Sequence, residues 1–229
     1  MLAETLIALF SLIALEVILG IDNIIFISIL SDKLPENKRD KLRYWGIGLA
    51  MIIRLCLLGV ISWILKLDSE LFNVFDISFS GKGIILIIGG VFLLYKSTKE
   101  IFYNTEDEHH NETSLIKKGT FKKLLSEIII LDLVFSIDSI ITAVGMVKEL
   151  WIMYTAVIVA VGIMLIASKP ISKFIQKHPS FKILALCFLM MIGVSLIGEG
   201  LHFVIPKGYI YFSMAFAFFV NTIQMKKIK

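Results

Sequence analysis

Residues 12–25 read L-I-A-L-E-V-I-L-G-I-D-N-I-I, and residues 128–141 read I-I-I-L-D-L-V-F-S-I-D-S-I-I. At an offset of 116, Glu16 aligns with Asp132, Gly20 with Ser136, Asp22 with Asp138 and Asn23 with Ser139. Leucine and isoleucine matches arise by chance between any two apolar segments. Two acids at the same spacing in both copies do not, so the pair reads as an internal duplication.

The rest of the chain has the composition of a membrane protein. Of its 229 residues 57% are hydrophobic, and its mean hydropathy is +0.86. Soluble domains hold about 45–50% apolar residues. The excess sits in runs of about 20 residues between short charged stretches, the layout of helices crossing a hydrocarbon core roughly 30 Å thick. The net charge of +4 comes with no basic, aromatic-interleaved face, which excludes a nucleic-acid partner. Cys56 and Cys187 fall inside apolar runs and read as small core hydrophobes, not as a disulfide or metal pair. The first segment has neither a basic start nor a small-residue cleavage site and carries Glu16 and Asp22, so it reads as a retained helix.

Seven spans are expected, at 3–30, 44–66, 82–103, 121–147, 150–168, 181–203 and 208–225. The expected fold is an all-α membrane protein, one transmembrane domain over 1–229. Repeat one covers 3–103, a polar cytoplasmic loop 104–120, repeat two 121–203, and an extra helix 208–225. Eighteen Lys and Arg residues fall on the side of the first, third and fifth loops and the tail, against four on the other. The positive-inside rule then puts the N-terminus outside and the C-terminus inside. The two acidic motifs lie three spans apart and cross in opposite directions. A 3+3 inverted-topology repeat of this kind places substrate near the midplane, at the repeat interface.

A carboxylate facing lipid costs about 2.5–3.5 kcal/mol at a helix centre. Glu16, Asp22, Asp132 and Asp138 are therefore expected to face the bundle interior. With Asn23 and Ser139 they supply oxygen ligands, which suit hard divalent cations and Mn²⁺. The motifs hold no His or Cys, which argues against a zinc or copper site. Positions six apart on a straight helix differ by about 120° and about 9 Å. Either the helices are distorted near Gly20 and Ser136, or each ion takes acids from both helices.

The bland alternative is that the acids pair with Arg54 and with lysines at the helix ends. One arginine cannot neutralise four carboxylates, so some must hold protons or cations. Arg54 itself reads as a counter-charge or a movable gate. Glu199, in G-E-G near the outer end of the sixth span, reads as an interfacial acid or a proton-coupling one. Lys96 is expected to snorkel to the inner surface. The E-D-E-H-H run at 106–110 reads as a solvated charge run before it reads as a metal sensor.

E-V-I-L-G-I-D-N at 16–23 and D-L-V-F-S-I-D-S at 132–139 resemble the paired signatures of the TerC family of bacterial membrane proteins. So do G-G-V-F-L-L-Y-K-S-T-K-E at 89–100, A-S-K-P-I-S-K-F at 167–174 and L-I-G-E-G-L-H-F-V-I-P-K-G-Y-I-Y-F at 196–212. The resemblance runs along most of the chain, in the compact seven-helix form without added cytoplasmic domains. It implies export of Mn²⁺, with Ca²⁺ as an alternative cargo, across the bacterial plasma (inner) membrane. It also implies that Glu16, Asp22, Asp132 and Asp138 are the acidic ligands, with Asn23 and Ser139 beside them. Many relatives carry a proline shortly after the second D-S, where this chain has Ile141 and Thr142; that puts a local break of the fourth helix in question.

The expected function is thus a proton-coupled exporter of a divalent cation, with the lipid bilayer, the metal ion and protons as partners and no organic cofactor. An intramembrane aspartyl protease fails on detail, because there is no G-x-G-D and there are four acids instead of a dyad. No enzyme activity is expected. A non-transporting accessory protein, assisting insertion or folding of other proteins, is the alternative. Oligomeric state, coupling ion and the physiological metal are not legible at this level.

Overall fold

A computed structural model describes residues 2–60, 70–74, 77–106, 120–203 and 205–227. Seven helices are found among them: α1 Leu2–Ser31, α2 Glu36–Gly59, α3 Gly81–Glu106, α4 Phe121–Met146, α5 Leu150–Lys177, α6 Pro179–Gly200 and α7 Lys207–Lys227. Five of them, α1, α2, α4, α5 and α6, are long and apolar enough to cross a membrane. The chain is an all-α membrane protein, as its composition requires.

Its surface is that of a protein dissolved in lipid. Ile166 is 80% exposed and Phe212 73%, while Glu16 is 1% exposed and Arg54 3%. A water-soluble fold does the reverse with such residues. In hydrocarbon the apolar side chains face the solvent and charge must be compensated inside.

Several boundaries differ from the expected spans. Helix α2 starts at Glu36, well before position 44, because the charged run E-N-K-R-D-K-L-R is helix-forming although too polar to sit in hydrocarbon. The remainder of that span, 61–66, lies outside the described residues, as do 107–119 of the polar loop and most of the E-D-E-H-H run. Helix α5 does not stop at 168 but passes Pro170 and ends at Lys177. A proline inside a helix removes one backbone hydrogen bond without forbidding continuation; there Ser168 Oγ donates to the Leu165 carbonyl at 2.9 Å. Helices α1 and α4 run unbroken through Gly20 and Ser136, so the expected alternative of a local distortion is not what this chain does. Helix α4 likewise continues through Ile141 and Thr142. Both cysteines are free and exposed, on outer helix faces and not in the core.

The structure adds one element to the expected spans. Before α3 the chain forms an antiparallel hairpin, β1 Glu70–Val74 and β2 Ile77–Ser80, pairing Phe72 with Phe79 and Val74 with Ile77. The I-S-F-S alternation has the period of a strand. Ser80 then caps α3, its Oγ accepting from the Gly83 N–H at 3.0 Å.

The chain divides into two compact units. The first, 1–69 with 117–174, contains α1, α2, α4 and most of α5. Within it α2 and α4 run parallel: Gly46 faces Ile128, and Arg54 reaches Ser136. The second, 70–116 with 175–229, is centred on α3 packed against α6. These two helices run antiparallel and touch at glycines. A Cβ at Gly90 would lie 2.5 Å from the Gly193 carbonyl oxygen, and one at Gly193 would lie 2.9 Å from that of Gly90. Absent side chains let the two backbones meet, as small residues commonly do in membrane helix pairs. Helix α6 ends on His202, whose φ of 66° is left-handed, and Phe203 N–H returns to the Gly198 carbonyl at 2.8 Å.

Candidate functional site

Helix phase and burial bring one group of charges together inside the first unit. Glu16 on α1, Arg54 on α2 and Asp132 on α4 are all buried. Arg54 Nη1 donates to Glu16 Oε2 at 2.5 Å, Nη2 to Asp132 Oδ1 at 3.3 Å and Nε to Ser136 Oγ at 3.1 Å. Ser136 Oγ in turn donates to Asp132 Oδ2 at 3.1 Å, one turn back along α4. Asn23 Nδ2 donates to Asp132 Oδ1, also at 3.1 Å. Each Asp132 oxygen is thus engaged, and each of the three guanidinium nitrogens has an acceptor. A charge pair in low dielectric persists only when satisfied in this way.

Beside this network lies a cavity of about 20 Å³, lined by Asn23, Met51, Arg54, Asp132 and Met164 and otherwise by aliphatic residues. That is room for about one water or one bare ion.

The other expected site residues stand apart from the network. Asp22 is 5% exposed and has no hydrogen-bond or ion-pair partner among the described residues. Asp138 and Ser139 are buried on α4; the Asp138 carbonyl accepts from Thr142 Oγ1 at 3.0 Å, and Ser139 Oγ donates to the Ser136 carbonyl at 3.3 Å. Among the described residues no three His, Cys, Asp or Glu side chains converge into one metal-holding group. Glu199 belongs to the second unit, half-buried between Lys82 Nζ at 2.9 Å and Lys207 Nζ at 4.0 Å.

Arg54, expected from the sequence as a counter-charge or a gate, pairs with two of the four acids. Ser136 enters the sequence reading as the counterpart of Gly20 and as a candidate point of helix distortion, not as a partner of the acids. The signal for a closer role was its position four residues after Asp132, on the same helix face. Met51 and Met164 carried no such signal, because methionines in apolar helices are commonplace.

A family model for the integral membrane protein TerC family matches residues 1–228. The chain belongs to that family. A UPF0053 protein of Haemophilus influenzae is 48% identical over 223 residues, which cover 97% of this chain and 94% of that protein. The UPF0053 inner membrane protein YoaE of Escherichia coli K12 is 48% identical over 213 residues, covering 93% of this chain and 41% of YoaE. YegH of the same organism is 44% identical over 220 residues, covering 96% of this chain and 42% of YegH. This TerC-family chain therefore spans about two fifths of the length of the Escherichia coli relatives it matches. No solved structure matches it. With its spanning helices and a relative named as an inner membrane protein, it is a multi-pass protein of the bacterial inner membrane.

Proposed function

We propose that this protein exports a divalent metal ion, Mn²⁺ first among candidates, from the cytoplasm in exchange for protons. The observation that carries the reading is an excess of buried acid. Glu16 and Asp132 already share the guanidinium of Arg54, and a third buried acid, Asp22, has no partner among the described residues. Buried carboxylates in excess of their counter-charge must take up protons or cations. A group that exchanges one for the other has the elements of an antiporter, since binding metal to carboxylates releases their protons. Asn23 on α1 and Asp138 and Ser139 on α4 add further buried oxygen-bearing side chains on the same two helices. Arg54, held by Glu16 and Asp132, serves as the counter-charge that an arriving cation must partly displace.

The matched acidic motifs at an offset of 116 support this reading, and we take them as the mark of a 3+3 inverted repeat. The repeat assigns α1 to α4, α2 to α5 and α3 to α6. The first unit contains the first two pairs, and the second is built on the third. Rocking of one part of the bundle against another is the usual mode of such transporters.

Direct ⁵⁴Mn²⁺ flux in proteoliposomes, with an imposed pH gradient, tests the function. Flux above protein-free vesicles, rising with the gradient, is expected; its absence with well-incorporated protein leaves the accessory role standing instead. The direction of export requires the 104–120 loop to be cytoplasmic. Asn111→Cys, in a chain whose own two cysteines are replaced, is expected to resist a membrane-impermeant thiol reagent in intact cells and to react after lysis.

A further inference from the structure

The cavity beside Asp132 has a lining that carboxylates alone do not account for. Met51 from α2 and Met164 from α5 line it together with Asn23, Arg54 and Asp132. Met164 is buried, and its Sδ rests against α1 at Gly20, so closely that any Cβ at position 20 would collide with it. The missing side chain of Gly20 is thus the seat of a thioether, one turn before Asn23.

Asn23 adds a second observation. Its Nδ2 donates to Asp132 Oδ1. An ionised carboxylate only accepts, so the amide must present its nitrogen there and turn its oxygen away. That oxygen has no partner among the described residues, although Asn23 is only 9% exposed. One small cavity is therefore lined by a carboxylate residue, an asparagine whose amide oxygen has no partner among the described residues, and two methionines.

We propose that Asp132, Asn23, Met51 and Met164 form a mixed oxygen–thioether site for a divalent cation, and that the two thioethers bias it against Mg²⁺ and Ca²⁺. The inference rests on the transport reading only in taking this ion to be the cargo. Mg²⁺ and Ca²⁺ take oxygen ligands, and a thioether does not replace the water they would shed. Sulfur suits softer ions, so Cd²⁺ gains most and Mn²⁺ stands between. Of the two acids that hold Arg54, Asp132 lines the cavity and makes the longer contact, 3.3 Å, whereas Glu16, at 2.5 Å, is not among the lining residues. An entering ion thus competes for Asp132 while the guanidinium stays paired with Glu16. Methionine also fills irregular gaps as a plain hydrophobe; in that role leucine replaces it without effect on ion choice.

Equilibrium ¹⁰⁹Cd²⁺ binding to the purified full chain in detergent, with Mn²⁺ and Ca²⁺ as competitors, separates the two. The wild-type protein is expected to bind Cd²⁺, to release it to Mn²⁺, and to hold it against a large excess of Ca²⁺. The double variant Met51→Leu/Met164→Leu keeps side-chain volume. Its Cd²⁺ affinity is expected to fall about tenfold and its Cd²⁺/Ca²⁺ preference with it. Gly20→Ala reaches the same sulfur from the other helix: its methyl group displaces a flexible side-chain end, and it is expected to lower the Cd²⁺ preference in the same direction. A folded wild-type protein that binds no Cd²⁺, or folded variants with unchanged Cd²⁺/Ca²⁺ preference, would overturn the proposal. Selective Cd²⁺ binding without ⁵⁴Mn²⁺ flux would sink the transport reading and leave the site. Normal flux with thioether-independent selectivity would do the opposite.

Discussion

Arg54 Nη1 lies 2.5 Å from Glu16 Oε2, with both side chains sealed from solvent on neighbouring helices. The same guanidinium reaches Asp132 on a third helix. Three helices of the first unit are thus fastened through one side chain, and the contact is energetic as well as topological. Removing one partner of a buried pair leaves the other charge uncompensated, which costs more than the pair is worth.

A double-mutant cycle on Glu16→Gln and Arg54→Gln measures this. Partners in one hydrogen-bonded network couple by about 0.5–3 kcal/mol, and the upper half of that range is expected for a fully buried pair. Thermal unfolding in detergent, followed by tryptophan fluorescence, reads it. If the two single effects simply add, the pair does not act as a unit.

The second unit is held differently, by backbone contact. At Gly90 and Gly193 a Cβ would lie 2.5 and 2.9 Å from the opposing carbonyl oxygen, and backbone has nowhere to go. Gly90→Ala and Gly193→Ala are each expected to destabilise by about 1–3 kcal/mol, the usual cost of overpacking. Gly48→Ala, with nothing within 4 Å of its Cβ, is the control and is expected to be neutral or stabilising by up to about 1 kcal/mol, since alanine is the better helix former. The same thermal melt ranks the three. Equal effects at all three positions would mean that α3 and α6 are not locked at these glycines.

Much of this was legible in the chain because hydrocarbon tolerates so little. Apolar runs of spanning length had to be helices, and acids within them had to face inward; Glu16, Asp22, Asp132 and Asp138 are all buried. Helix ends beyond the hydrocarbon were not legible. The polar start of α2 at Glu36 and the passage of α5 through Pro170 obey helix propensity and packing, not hydropathy. The β1–β2 hairpin is too short for its alternation to stand out beside a helix. Within the site, Arg54 stood out as an intramembrane cation, but which acids it takes depends on helix phase and on packing between helices distant in the chain. Ser136 was hidden for the same reason. Its hydroxyl matters only because α2 brings Arg54 alongside.

The acids divide by partner, and that division gives mutations opposite effects on stability. Asp132 accepts from Arg54, Asn23 and Ser136, so Asp132→Asn removes a charge that three donors have already compensated. It is expected to lower stability by about 1–3 kcal/mol, the cost of leaving buried hydrogen-bonding groups poorly matched. Asp22 has no such partner, so burying it costs either an uncompensated charge or the uptake of a proton, and Asp22→Asn removes that cost at nearly constant size. It is expected to leave stability unchanged or to raise it by up to about 1–2 kcal/mol, because a desolvation cost disappears. Function is expected to move independently of stability. Asp22→Asn and Asp138→Asn are both expected to abolish Mn²⁺ flux and the manganese tolerance that depends on it, while Asn111→Ala in the polar loop changes neither. Flux in proteoliposomes and melting in detergent, measured on the same preparations, separate loss of a cation-exchanging carboxylate from loss of fold. A stable Asp22→Asn protein that still moves Mn²⁺ at the wild-type rate would remove Asp22 from the ion pathway and leave its burial in α1 unexplained by transport.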